Sequence, residues 1–74
     1  EYYALANEGK DYLLYNSSSN FIDLDLSKAS GSFSLKVTNA RNGVVLKEER
    51  IKGGGPIKIN KVSANDEVIF IHKN

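Results

Sequence analysis

Apolar residues recur at every second position through most of this chain, and clusters of Gly, Asn, Ser and Asp interrupt the alternation at short intervals. A β-strand turns successive side chains to opposite faces, so a period of two predicts consecutive antiparallel strands with one face toward a core. The clearest case is Ser32 to Asn39, where Phe33, Leu35 and Val37 alternate with Ser34, Lys36 and Thr38. Phe21 to Leu26 does the same, with Ile22, Leu24 and Leu26 opposed to Asp23 and Asp25. Further strands are predicted over Tyr2 to Ala6, Asp11 to Tyr15, Val44 to Ile51, Ile57 to Ile59 and Glu67 to His72, seven in all.

The punctuation agrees with that division. Asn7-Glu8-Gly9-Lys10 supplies turn chemistry for a first hairpin, and Asn42-Gly43 supplies it for a second. Asn16 to Asn20, Ser27 to Gly31 and Lys61 to Asn65 read as loops, and Gly53-Gly54-Gly55-Pro56 as a flexible turn. Within the fifth strand Val44 and Leu46 share one parity and Ile51 has the other, which predicts an inserted residue around Lys47 to Arg50. No segment of ten or more residues has helical spacing. The expected fold is therefore all-β: one domain over residues 1–74, a small two-sheet antiparallel β-sandwich, immunoglobulin-like or jelly-roll-like, with no helix.

Three segments depart from simple alternation. Tyr2 to Ala6, Tyr12 to Tyr15 and Val68 to Ile71 are apolar on both faces, where a sandwich strand needs only one. Either loops shield the outer faces of these strands, or the outer faces form a patch that docks on another domain or subunit. The candidate interface residues on the second reading are Tyr3, Leu13, Tyr15, Ile69 and Ile71.

Composition limits what the chain can do. Seventy-four residues hide only roughly 60% of the unfolded chain's surface, and no cysteine is present to staple so thin a core. Lys and Arg number 10 against 9 Asp and Glu, spread along the chain, so no electrostatic footprint for nucleic acid is visible. No apolar run approaches the ~20 residues that span a bilayer as a helix. The chain has no methionine and begins inside an apolar segment at Glu1-Tyr2-Tyr3, which leads us to expect a piece of a longer protein.

No catalytic constellation emerges. Asp23 and Asp25 share one face roughly 7 Å apart, a spacing that glycoside hydrolysis could use. That face is expected to be solvated, with nothing to raise one pKa. Gly53 to Pro56 lacks the following helix and the Lys-Ser or Lys-Thr pair of a phosphate loop. His72 has no cysteine or second histidine to join it, and we expect an exposed histidine at a strand end, with no metal and no cofactor. Tyr2, Tyr3, Tyr12 and Tyr15 could stack on a sugar, but all four lie in the doubly apolar segments, where core or interface burial is the better account.

The order of segments carries a resemblance. Tyr3 to Tyr15, with its Asn7-Glu8-Gly9-Lys10 turn, resembles the opening of the small C-terminal domain of apiosidase-like (β/α)₈-barrel glycoside hydrolases, a domain that carries a provisional collagen-binding label. Phe21 to Leu26, Gly31 to Val37 and Asp66 to Ile71 are similar to later strands of that domain, and Asn39-Ala40-Arg41-Asn42-Gly43 to its hairpin. Two departures are Val37-Thr38, where the family places large aromatics, and Ala40, where it has proline. The resemblance implies an accessory domain at the C-terminus of an exported enzyme, extracellular or periplasmic and of bacterial type, that packs on and stabilises or orients the catalytic barrel of the same chain. The alternative it implies is a module that targets the enzyme to polysaccharide or collagen. On either reading the catalytic residues belong to the barrel and none to this chain.

Overall fold

The computed structural model describes the backbone of Tyr2–Asn7 and residues 10–74 in full. The centre of the predicted Asn7-Glu8-Gly9-Lys10 turn and the side chains of Tyr2 and Tyr3 therefore lie outside the described residues. Seven strands and no helix are found among those described: β1 (Tyr2–Asn7), β2 (Asp11–Asn16), β3 (Phe21–Asp25), β4 (Ser32–Asn39), β5 (Val45–Lys52), β6 (Pro56–Asn60) and β7 (Glu67–Lys73). They form an antiparallel sheet of five strands in the order β1-β2-β7-β4-β5 and a second, two-stranded sheet of β3 and β6. The result is an uneven β-sandwich.

The alternation explains the packing. Tyr12 and Leu14 of β2, Phe33, Leu35 and Val37 of β4, and Ile69 and Ile71 of β7 are buried on the inner side of the large sheet. Ile22 of β3 and Ile59 of β6 close the core from the other layer, with Leu26 and Ala29 from the loop between β3 and β4. Tyr12 meets Phe33 edge to face, ring centroids 6.3 Å apart. Two strands cannot cover five. On the inner side of β5, Lys47 and Glu49 stand opposite Val37 and Leu35, remain exposed, and pair with each other at 3.4 Å.

The irregularity predicted in the fifth strand is present one residue earlier than expected. Val37 pairs with Lys47 and Thr38 with Val45, so Leu46 is the extra residue. The bulge lets both Leu46 and Ile51, of opposite parity, pack against the core. In the hairpin before it only Gly43 has positive φ (74°), and Asn42 instead accepts a hydrogen bond from Val44 N at its Oδ1, 2.9 Å.

Gly53-Gly54-Gly55 is not the flexible turn the sequence suggests. The Gly53 N–H donates to Gly31 O (2.8 Å) and the Gly54 N–H to Leu26 O (2.9 Å), while Leu26 N–H donates to Gly55 O (3.0 Å). This stitches the crossover from β5 to β6 against the loop that carries Leu26 and Ala29. A Cβ at Gly53 would stand 2.1 Å from Ala29 O and 2.8 Å from the Phe33 ring, whereas one at Gly55 would meet nothing within 4 Å. Gly53→Ala should therefore destabilise the domain by about 3 kcal/mol, as overpacking against fixed backbone does. Gly55→Ala should stay within about 1 kcal/mol of the parent. Urea denaturation of the two variants checks this, and equal midpoints would contradict it.

Candidate functional site on the outer face of the large sheet

Register alone decides which side chains leave the core on the large sheet. Three rows run across its outer face from β2 through β7 to β4 and β5. Asp11, His72, Ser34 and Arg50 make the first, Leu13, Phe70, Lys36 and Glu48 the second, and Tyr15, Val68, Thr38 and Val45 the third. The character of the face changes obliquely across β7. Its apolar part holds Leu13 (43% exposed) and Phe70 (42%) as direct cross-strand neighbours, with Tyr15 and Val68 half-buried beside them and Val45 at the far end of their row, while Asp11 on β2 lies in the polar row with His72. Toward β5 it is charged and concave, with an open depression of about 480 Å³ over Ser34, Lys36, Glu48, Arg50, Phe70 and His72.

The predicted interface residues are sorted by this register. Leu13 and Tyr15 lie on the outer face, as expected. Ile69 and Ile71 do not: both are fully buried (0% exposed) on the inner side, and Val68 and Phe70 take the outer positions of that strand. Backbone register sets Tyr3 opposite Tyr15, and its side chain is outside the described residues. Among the tyrosines proposed as a stacking platform, Tyr12 is a core residue, and the Tyr15 hydroxyl donates to Asp66 Oδ2 at 2.6 Å.

Glu67 has the parity of Ile69 and Ile71 and, although an acid at the head of its strand, faces inward with them at 1% exposed. Its carboxylate accepts hydrogen bonds from Val62 N (3.0 Å), Ser63 N (2.6 Å) and Ser63 Oγ (2.8 Å), and Lys61 Nζ lies 3.9 Å away. A buried carboxylate is tolerated when its lone pairs are filled in this way. Glu67 is flanked across the sheet by two more buried polar residues, Asn16 and Asn39. Asn16 accepts from Ser19 N and donates to Ser19 O, both at 2.9 Å, and Asn39 Oδ1 accepts from Arg41 N at 2.8 Å. Each member of this row closes the loop next to it. Glu67→Ala should leave two backbone N–H groups of the Lys61 to Asn65 loop without their acceptor and cost about 2–4 kcal/mol. A thermal midpoint equal to that of the parent would contradict this.

His72 is exposed at a strand end, as the sequence suggested. Its Nδ1 lies 2.5 Å from Asp11 Oδ1, and its ring stacks on Phe70 with centroids 5.9 Å apart and planes 11° from parallel. Asp23 and Asp25 are both exposed on β3. Hydrogen bonds from the Ser27 hydroxyl and then the Ser27 N–H (2.9 Å) hold Asp25 below the ordinary aspartate value of 3.8, outweighing the opposing effect of desolvation, and the Lys28 ammonium adds a lesser pull in the same direction. A general acid requires the opposite shift. Because folding favours the carboxylate, its contribution is complete above the unfolded-state pKa and is lost as pH falls through the lower folded-state pKa. Titration followed by carboxyl NMR should place Asp25 below 3.8, and Ser27→Ala should move it up toward that value.

No protein-family model and no curated protein matches the chain. Among solved structures it is similar to a chain described as a glycoside hydrolase, with a TM-score of 0.64 and 23% identity over 89% of this chain. The match spans 16% of that chain, so the shared feature is the fold of one small portion of a much larger protein.

Proposed function

We propose that this domain is a non-catalytic accessory unit of an exported glycoside hydrolase, and that it packs the apolar half of its outer face on the catalytic domain of the same chain. The observation that carries the proposal is the apolar cluster of Leu13, Tyr15 and Val68, with Phe70 at its edge, in which Leu13 and Phe70 remain more than two-fifths exposed on the surface of the domain. A domain this small gains stability by burying such a patch against a neighbour, since each large side chain removed from water contributes about 1.5–3 kcal/mol. The structural similarity supports the same reading, because a unit of this fold occurs within a chain about six times its length.

The alternative of a targeting module built on tyrosines draws no support from the two whose side chains are described. Tyr12 is enclosed by the core and Tyr15 is tethered to Asp66. The outer rows do include another polar and aromatic group, which is a separate matter from the docking patch.

Leu13→Asp separates docking from folding. Leu13 is half-exposed in the domain alone, so the substitution should change the stability of the 74-residue chain by less than about 0.5 kcal/mol. In the intact enzyme the same change should split one calorimetric transition into two and expose the junction to limited proteolysis. Independent melting of the two domains in the unsubstituted enzyme would sink the docking proposal.

A further inference from the structure

Phe70 borders both the apolar patch and the charged half of the outer face, and the chemistry of the charged half is specific enough to ask what it would hold. We propose that the depression over Ser34, Lys36, Glu48, Arg50, Phe70 and His72 is a subsite for one pyranose ring of an oligosaccharide. A pyranose presents an apolar C–H face and a rim of hydroxyls that both donate and accept hydrogen bonds. A site for it needs an aromatic wall beside donors and acceptors in mixture.

The depression supplies both. Phe70 and His72 line it with rings stacked on each other, planes 11° from parallel, and His72 Nδ1 lies 2.5 Å from Asp11 Oδ1. Its rim carries two cationic donors, Lys36 and Arg50, the Glu48 carboxylate as acceptor, and Ser34, whose hydroxyl is hydrogen-bonded to Asn74 Oδ1 at 2.6 Å. Lys36 and Glu48 are direct cross-strand partners, yet no ion pair joins them among the described residues. Lys47 and Glu49, on the opposite side of the same strand, do pair. The outer charges are thus uncommitted where the inner ones are spent on each other. A phosphate site would be dominated by cations, and Glu48 argues against it; mixed charge suits hydroxyl groups. The open form of the depression suits a chain lying across the sheet, with one residue seated beside Phe70 and His72.

This inference does not rest on docking through β2. The rim residues of β5 lie three strands from Leu13, roughly 14 Å at ordinary strand spacing. The test is a titration of the isotopically labelled 74-residue chain with cellohexaose, xylohexaose and hexagalacturonate into the millimolar range, followed by amide NMR. Perturbations confined to β4, β5 and β7 around Ser34, Lys36, Arg50 and His72 are expected with at least one of the three. The neutral and acidic sugars distinguish hydroxyl recognition from recognition of a carboxylate by Arg50. Arg50→Ala and His72→Ala should each weaken binding by roughly tenfold, the effect of losing a charge-assisted hydrogen bond or one wall of the site. Both residues are exposed, and retained dispersion of the amide spectrum verifies the fold. The proposal is overturned by silence toward all three sugars, by perturbations centred elsewhere, or by affinity that survives both substitutions.

Discussion

The structure depends on β7 entering between β2 and β4. Two hairpins, β1–β2 and β4–β5, are joined into one sheet only by the ladders that residues 67–73 make on either side. Ile69 and Ile71 complete two inner rows, from Leu14 to Val37 and from Tyr12 to Leu35, so the same strand that closes the backbone ladder also closes the core. Both partners are distant in sequence, and the entropy of ordering the intervening chain must be met before either ladder contributes. Weakening β7 therefore removes backbone pairing and core packing together, which makes the sheet a single cooperative unit.

The same strand partitions the domain's surface. Because its outer residues are Val68, Phe70 and His72, it passes from apolar to polar along its length, and its two neighbours extend that contrast sideways. Leu13 and Tyr15 continue the apolar side, Lys36, Glu48 and Arg50 the charged one. A single face of five strands thus offers surfaces of two different chemistries without any loop insertion. The β3–β6 layer, whose outer side shows only Phe21 beneath the Lys58 ammonium at 4.4 Å as an aromatic contact, offers less.

Strand positions were legible because alternation is local: every strand predicted from period two exists, with ends displaced by a residue or so. Core membership followed wherever one parity was polar, as with Ile22 and Leu26 or Phe33, Leu35 and Val37. It failed in β7 because Val68 to Ile71 offer no polar residue to fix the phase. The nearest acid, Glu67, points inward for a reason that lies in the Lys61 to Asn65 loop. His72, of opposite parity and exposed, was the better guide. The close packing at Gly53 was equally hidden, since what forbids a side chain there is the Ala29 carbonyl, a group 24 positions away that no local pattern reveals. The depression was missed for the same reason: Ser34, Arg50 and His72 become neighbours only through long-range pairing.

The polar row of Asn16, Glu67 and Asn39 has a consequence for how this sequence can vary. These anchors sit in the strands, and apart from the Ser63 hydroxyl and the Lys61 ammonium they grip backbone atoms of the adjoining loops, at residues 19, 41, 62 and 63. What they recognise is the course of the chain, largely independent of which side chains it carries. The three loops at this end are therefore interchangeable parts on a fixed mount: their outward-facing residues can be replaced wholesale, by evolution or in a designed library, while the strand-borne clasps keep their shape.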